Sequence, residues 1–249
     1  MLTMNQHKFT GKADLYEKFR PGYPEELVDF LYDKTEYKAV ADIGAGTGKF
    51  TRCLLKKPWK ITAVEPNGDM REKLEAIEGI TVVNASAENT GLEARSFGLV
   101  AAAQSFHWFD EEKFKEECKR ILTDSGRVAI VWNSFIDEGL ARRQTEICRK
   151  YSTDAHFRQT GHAGMREKDE SDAFFAGYFK EFQKLEFFGE RSFDRESFIG
   201  ETLSRSYAPK LGQPDHERLV EELNMVFSEF ESGGKAAVKC STTLYFGKF

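Results

Sequence analysis

The stretch ADIGAGTGKF, residues 41–50, constrains the fold more than any other part of the sequence. It places three glycines at alternate positions, Gly44, Gly46 and Gly48, directly after a short apolar run. Glycine permits the positive φ angles that a sharp strand-to-helix turn needs, and it lets a ligand approach the backbone closely. The stretch therefore predicts a strand, a ligand-binding loop and a helix, in that order.

Apolar segments in the first half of the chain have the length and composition of strands that are buried on both faces of a parallel sheet. They alternate with helical patterns, such as the one that follows Asp110, a plausible helix cap. This alternation predicts an α/β fold with a doubly wound, mostly parallel sheet. The predicted strands are residues 39–43, 60–65, 80–85, 97–103 and 126–132.

The second half of the chain has a different pattern. Residues 134–182 are rich in aromatic and charged side chains and show no strand pattern, so we interpret them as a helical insertion over the sheet edge. Residues 184–193 and 241–249 are predicted strands, and an amphipathic helix is predicted from Leu219 to Phe230. No linker or repeat divides the 249 residues, which predicts a single domain.

Charge and cysteine usage exclude several classes of function. The net charge is −5 and no long basic run occurs, which argues against a nucleic-acid partner. The four cysteines are isolated and the histidines have no metal-ligand spacing, so no metal site is expected. Since no signal or membrane-spanning segment is seen, the sequence favours a cytoplasmic protein without a membrane partner. A monomer and a homodimer are both compatible with it.

The spacing of the loop narrows its ligand. A dinucleotide-binding loop reads G-x-G-x-x-G, but Lys49 stands where its third glycine would be. The chain reads D-x-G-x-G-x-G instead, and it has no phosphate-binding P-loop motif. An acid at the strand end, Asp42, would repel a pyrophosphate but would attract a cationic ligand. The loop therefore favours a positively charged nucleoside over a dinucleotide.

Glu65 ends the second predicted strand, 17 residues after Gly48. An acid near this position in nucleotide-binding α/β folds accepts hydrogen bonds from ribose hydroxyls. The alternative is a charge at the N-terminus of the next helix, in EPNGDM. Its register with the glycine loop favours the ribose role.

These segments together resemble a known family. VADIGAGTGKFT, VEPNGDM, NASAEN and AAAQSFHWFD resemble the motifs of class I S-adenosylmethionine-dependent methyltransferases of the type 11 small-molecule group, as does the leading YEKFRPGYP. SFHWFD is similar to a subgroup that includes trans-aconitate-methyltransferase-like proteins. The resemblance covers about the first 135 residues. It implies a seven-stranded sheet whose first and fourth strands are neighbours, with the ligands at that switch point.

The resemblance also implies roles for particular residues. The glycine loop would contact the methionine end of S-adenosylmethionine, Glu65 the ribose, and the residues after the second and third strands the adenine. Gln104 and Ser105 would lie beside the sulfonium, although Met70 could equally be a core residue. The implied cofactor-binding residues are Asp42, Gly44, Ala45, Gly46, Gly48, Glu65, Pro66, Asn67, Met70, Ala87, Glu88, Gln104 and Ser105.

The acceptor side is less defined. His107 and Trp108 would face the acceptor, and His107 is a candidate base, although it could instead be a packed residue that orients its loop. The leading motif predicts a lid formed by Tyr16, Phe19, Arg20 and Tyr23. Arg20 would pair with a carboxylate of the cofactor or of the acceptor. The motif could also be no more than a lead-in to a helix over residues 25–34.

The resemblance divides the single domain, residues 1–249, into four segments. We expect an N-terminal lid and helix at 1–34 and a cofactor-binding core at 35–133. A helical insertion on the acceptor side would follow at 134–182, and residues 183–249 would complete the sheet. The predicted activity is methyl transfer to a small-molecule acceptor, with a carboxylate or hydroxyl favoured.

Three other functions compete with this one. A nucleic-acid methyltransferase is disfavoured because QSFHW replaces the Pro-containing motifs that such enzymes carry after the fourth strand. A nicotinamide oxidoreductase is disfavoured by Lys49. A non-catalytic protein that binds S-adenosylmethionine for regulation has the same motifs, so the sequence leaves that alternative open.

Overall fold

A computed structural model describes residues 9–136, 139–160 and 172–249 of the chain. It contains one seven-stranded sheet with the order β3-β2-β1-β4-β5-β7-β6. The neighbouring pairs from β3 to β5 are parallel, and β7 is antiparallel to both β5 and β6. The strands are β1 (Ala39–Ile43), β2 (Lys60–Val64), β3 (Ile80–Val83), β4 (Phe97–Ala103), β5 (Leu122–Phe135), β6 (Glu181–Phe193) and β7 (Ala236–Lys248).

Helices cover both faces of this sheet, so the predicted fold class is confirmed. One apolar cluster joins α5 and α8 to one face, and another joins α2 and α3 to the opposite face. The helices are α1 (Ala13–Phe19), α2 (Glu25–Lys34), α3 (Lys49–Leu54), α4 (Gly68–Glu75), α5 (Glu111–Ile121), α6 (Leu140–Tyr151), α7 (Ala155–Thr160), α8 (Asp172–Tyr178), α9 (Arg195–Leu203) and α10 (His216–Phe230).

Strands β1 and β4 are adjacent, as the resemblance implied. Val40 pairs with Leu99 and Asp42 with Ala101. After β1 the chain continues to β2 on one side of this pair, and after β4 it continues to β5 on the other side. Loops that follow the two strands therefore diverge and leave a crevice between them, which is where open α/β sheets bind ligands.

Several predicted element bounds are wrong in the second half. Strand β5 starts four residues before the predicted Gly126 and runs past Trp132 to Phe135, because its far end pairs with the long strand β7. Strands β6 and β7 are 13 residues each and pair along their whole length. Such extended antiparallel pairs tolerate polar side chains on their exposed face, so the apolar pattern underestimates them.

The segment predicted as a helical insertion, residues 134–182, is helical over much of its described part. It carries α6, α7 and α8, although its ends belong to β5 and β6. Residues 137–138 and 161–171 of this segment lie outside the described residues, as do residues 1–8 of the predicted lid.

Helices α1 and α9 were missed from the sequence, whereas the helix expected over residues 25–34 is α2. Helix α1 ends at Phe19 before Pro21, and α2 begins at Glu25 directly after Pro24, so YEKFRPGYP connects the two helices. Helix α9 carries a capping box in which Asp194 accepts from the backbone of Ser197. That capping pattern was a readable signal. None of the described helices is long and apolar enough to cross a membrane.

Candidate functional site

The glycine loop has the backbone that its sequence predicts. Gly44, Gly46 and Gly48 have φ angles of +67°, +59° and +83°. A Cβ on Gly46 would meet nothing within 4 Å, because this residue borders an open cavity. A Cβ on Gly44 would instead lie 2.7 Å from that of Ser105. The loop is therefore open to a ligand at Gly46 and tightly packed against the β4 loop at Gly44.

Gly48 does not line this cavity, so the structure does not support its predicted cofactor contact. A Cβ at Gly48 would lie 2.3 Å from Ile77 and 2.9 Å from Leu74. Gly48 also holds the N-cap position of α3 in the left-handed conformation. Glycine at this position allows close packing against Leu74 and Ile77 and permits the left-handed turn.

Asp42 lies at the carboxyl end of β1 and is 1% exposed. Its Oδ2 accepts a hydrogen bond of 2.5 Å from the Thr51 hydroxyl, and its side chain lines the cavity. Burial raises the pKa of Asp42 to about 7, with the nearby Glu65 adding to the effect and the Thr51 hydrogen bond opposing it. A buried carboxylate without a cation is costly, so this position is suited to a positively charged ligand.

Glu65 lies opposite the glycine loop and is 7% exposed. Its two oxygens accept backbone hydrogen bonds of 2.8 Å each, from Gly46 and from Asn67. Burial raises the pKa of Glu65, and these two hydrogen bonds oppose that rise. The carboxylate therefore fixes the glycine loop to the β2 loop, and its remaining lone pairs are available to ligand hydroxyl groups.

The predicted adenine side is also assembled. Asn67 caps α4 by accepting from Met70, whose side chain is buried but also lines the cavity. Pro66, Ala87 and Glu88 line it as well. The predicted choice between a core role and a ligand role for Met70 is thus not exclusive.

The loop after β4 forms the other side of the crevice. Gln104 has φ of +57°, an uncommon conformation for a residue with a side chain, and its Nε2 donates to Asn133. The Ser105 hydroxyl donates to the carbonyl of Ile43 at 2.8 Å, which connects the loop after β4 to the end of β1. A 3₁₀ helix, Phe106–Trp108, follows. These hydrogen bonds attach Gln104 to β5 and Ser105 to the end of β1.

The first cavity has a volume of about 720 Å³, within the range typical of small-molecule sites. Of the predicted cofactor-binding residues, all but Gly48 line it. The predicted lid residues Tyr16 and Tyr23 line it too, as does Trp108, which was predicted to face the acceptor. Other lining residues were not predicted: Phe9, Lys49, Phe50, Ala103, Phe109, Asp110, Glu111, Glu112 and Lys113.

A second cavity of about 840 Å³ adjoins the first. The described residues common to both walls are Phe9, Tyr16, Tyr23, Gln104 and Trp108. The second cavity also contains charged residues from β6, from α9 and from the segments that directly follow α1 and α9. They are Arg20, Glu190, Arg191, Glu201 and Arg205. The sequence marked Arg20 as a lid residue and did not mark the other four as functional.

The other predicted lid and acceptor-side residues do not line the first cavity. His107 lines the second cavity and not the first, with its ring 4.6 Å from that of Trp108. Phe19 lines neither cavity, because it is buried against Gly200 of α9. Arg20 lines the second cavity and pairs with Glu201 of the protein itself, at 3.3 Å.

The N-terminal segment is attached to both halves of the molecule. On the core side, Gly11 donates to Asp69 and Lys73 pairs with Asp14 at 2.6 Å. On the other side, the Lys12 ammonium donates to the carbonyls of Arg205 and Ala208. Burial, together with Lys210 and Arg20, lowers the pKa of Lys12 to about 7. The segment thus closes the space between the core and α9.

Comparison with known proteins is consistent with this geometry. Residues 41–130 match the family model of a type 11 methyltransferase domain. The chain is 36% identical over 127 residues to the uncharacterized methyltransferase Rv3342 of Mycobacterium tuberculosis, covering 51% of this chain and 52% of that protein. It is 34% identical over 154 residues to a methyltransferase-like protein of Schizosaccharomyces pombe, covering 59% and 60%. The matches thus span about half the length of the curated relatives.

Solved structures share the fold over almost the whole chain. A protein provisionally described as a type II methyltransferase, from Anaeromyxobacter dehalogenans, has a TM-score of 0.65 at 19% identity, covering 92% of this chain and 98% of that one. A phosphoethanolamine N-methyltransferase of Haemonchus contortus, solved with S-adenosylhomocysteine, has a TM-score of 0.53 at 16% identity, covering 98% and 58%.

Proposed function

We propose that the protein transfers a methyl group from S-adenosylmethionine to a small-molecule acceptor, since residues 41–130 match the family model of a type 11 methyltransferase domain. One observation carries the proposal. The first cavity joins an open glycine backbone to two buried carboxylates, Asp42 and Glu65. That set of groups suits a cationic nucleoside and would repel a diphosphate.

The residues of the first cavity fit the cofactor in three respects. Gly46 leaves room for a ligand against the backbone, where a Cβ would intrude. Glu65 has lone pairs for two ribose hydroxyls, and Asp42 faces the position where an ammonium or sulfonium charge would be stabilised. The bound cofactor would supply a methyl group activated by the positive charge on sulfur.

The protein would contribute alignment more than acid–base chemistry. The acceptor oxygen forms a bond to the methyl carbon while the bond from that carbon to sulfur breaks, and the electron pair stays on sulfur. A carboxylate acceptor is already ionised and needs no base, so holding the two reactants in line can supply about 7 to 11 kcal/mol. A hydroxyl acceptor would have to lose a proton, and His107 is the candidate to accept it.

Glu65 provides the first test of this function. We expect Glu65→Ala to weaken S-adenosylmethionine binding by about 2 to 4 kcal/mol in isothermal titration, since charge-assisted hydrogen bonds to the ribose are lost. Glu65→Gln should fall between Ala and wild type, because it keeps one acceptor oxygen. Glu75→Gln, on the exposed end of α4, is the matched control and should bind normally.

The same titrations separate the competing functions. Tight binding of NADH with no response to S-adenosylmethionine would rule out the proposal. Cofactor binding that is unchanged in Glu65→Ala would remove the ribose assignment alone. If the cofactor binds but no methyl group reaches any acceptor in a small-molecule extract, the regulatory alternative is favoured.

A further inference from the structure

The second cavity lies where a methyl acceptor would have to enter. It shares Gln104 and Trp108 with the first cavity, so the two spaces meet beside the residues assigned to the sulfonium end. Its wall is rich in arginine, an unusual feature for a chain with a net charge of −5. The arrangement of these arginines indicates what the cavity is suited to bind.

Glu201 neutralises only part of this charge. It is 1% exposed, and its Oε2 accepts from Arg205 at 2.9 Å and from Gln144 at 3.1 Å. Its Oε1 lies 3.3 Å from Arg20. Both oxygens are thus engaged within the protein, and Glu190 is the remaining acid on the wall, at an exposed position.

Arg191 is not paired with an acid in the part of the chain that the structure describes. Among the residues that the structure describes, no carboxylate lies within 4.0 Å of its guanidinium. Its Nη2 donates to the carbonyl of Phe19, at 2.5 Å, which brings it beside Arg20. Its Nη1 and the Nε of Arg20 are buried without a hydrogen-bond partner in the described structure. Arg191 also lines the second cavity, so it brings to that wall a positive charge that no described carboxylate contacts.

We propose that the second cavity binds the methyl acceptor as a carboxylic acid, with one carboxylate held between Arg20 and Arg191. The inference rests on the proposed methyl transfer. Three arginines and two glutamates on the wall leave one positive charge over, which matches a single carboxylate better than a phosphate dianion. The planar guanidinium forks suit a carboxylate geometrically as well.

The anchored carboxylate is not the reacting group. Its lone pairs would be occupied by guanidinium donors, and a carboxylate bound in that way is a weak nucleophile. The methyl group is therefore received by a second oxygen of the acceptor, at the junction beside Gln104 and Trp108. The acceptor class is a small acid with an anionic group at one end and a nucleophilic oxygen at the other.

The test uses succinate as a probe, with succinamide and inorganic phosphate as comparisons. Each is titrated calorimetrically into the 249-residue protein, both alone and saturated with S-adenosylhomocysteine. We expect succinate to bind, succinamide not to bind, and phosphate to bind more weakly than succinate. Arg191→Gln and Arg20→Gln should weaken succinate binding by about ten- to a hundredfold. Arg195→Gln, an exposed arginine on α9, should leave it unchanged.

Arg191→Lys guards against a folding defect in the glutamine variant, since it keeps the charge but loses the fork and should give an intermediate affinity. Succinate binding that is absent, or that is equal in wild type and Arg191→Gln, would overturn the inference. So would tighter binding of phosphate, which would identify a phosphorylated acceptor instead. S-adenosylhomocysteine binding should be the same in all variants, and its absence from wild type would count against the proposed function and not against the anion site.

Discussion

The two cavities have opposite charge. Of the described residues that line the first cavity, six are acidic and two are lysines, whereas the second has three arginines and two glutamates. In the first, the buried Asp42 accepts its hydrogen bond from a neutral hydroxyl. In the second, the buried Glu201 contacts two arginines. One cavity has an excess of negative charge and the other an excess of positive charge, so a cation in the first and an anion in the second would balance both.

The contrast extends to the pKa values of the two buried acids. Burial raises the pKa of Asp42 to about 7. Burial alone would raise the pKa of Glu201 too, but Arg205 and Arg20 outweigh it and lower the pKa below its ordinary value. The same kind of side chain, equally buried, is therefore destabilised by its charge at one site and stabilised by it at the other. Neutralising each acid should shift stability in opposite directions.

The largest effect is expected at Glu201. We expect Glu201→Gln to lower the free energy of unfolding by about 3 to 5 kcal/mol near pH 7, because two partly buried arginines lose the buried anion between them. Since the folded-state pKa is lowered, this stabilisation is present above about pH 4.5 and is lost as the pH falls through the folded value. Urea unfolding of both proteins across pH measures it. Glu196→Gln, in an exposed pair with Lys18, should cost at most about 1 kcal/mol.

Asp42→Asn should have the opposite sign. An acid with a raised folded-state pKa reduces stability as the pH rises from about 4 to about 7, so removing its charge should stabilise the ligand-free protein above that range, by up to about 4 kcal/mol. The same change should weaken S-adenosylmethionine binding. Melting temperatures with and without cofactor measure both effects. Asp33→Asn, exposed on α2, is the control. A destabilised Asp42→Asn protein at pH 8 would contradict the contrast.

Gly46 tests whether the first cavity is occupied next to the backbone. Gly46→Ala places a methyl group in the open space, and we expect S-adenosylmethionine affinity to fall by about tenfold or more, since roughly 1 to 3 kcal/mol is typical of overpacking. Gly233→Ala is a close match, because Gly233 has φ of +62° and also meets nothing within 4 Å, but lies outside both cavities. Both variants share the backbone strain. Equal cofactor affinity in the two variants would show that the cofactor does not lie beside the backbone of Gly46.

The smallest effect is expected at His107. Alignment at the junction of the cavities needs no base if the acceptor oxygen is ionised, so His107→Gln should reduce the methyl-transfer rate by less than about tenfold. The pH profile of kcat/KM should keep its shape. A loss of about a hundredfold or more, together with the disappearance of one ionisation, would instead make His107 the base for a hydroxyl acceptor.

The sequence predicted the first cavity much better than the second. Its residues follow directly from the ends of parallel strands, where a glycine loop, Glu65 and Gln104 mark positions that the fold then brings together. In that half of the chain, residues that stand out in the local sequence pattern are also the ones that the fold brings together. Gly48 was the exception, because its role in packing against Leu74 depends on a helix contact that spacing does not reveal.

The second cavity draws its residues from distant parts of the chain. Arg20, Arg191 and Arg205 are up to 185 positions apart. The motif YEKFRPGYP marked Arg20 as a lid residue, but Arg191 and Arg205 resemble ordinary surface arginines in their local sequence. They meet only because α1 packs on α9 and because β6 ends beside both. Charge convergence of this kind is a property of tertiary packing, so neither periodicity nor a motif could predict it.

The N-terminal segment, in which Lys12 donates to the carbonyls of Arg205 and Ala208, couples binding in one cavity to binding in the other. Tyr16 and Tyr23 line both cavities, so a ligand bound in either cavity restrains the same two rings. Thermodynamic linkage then requires the benefit to be mutual: whatever factor cofactor binding adds to acceptor affinity, acceptor binding adds to cofactor affinity.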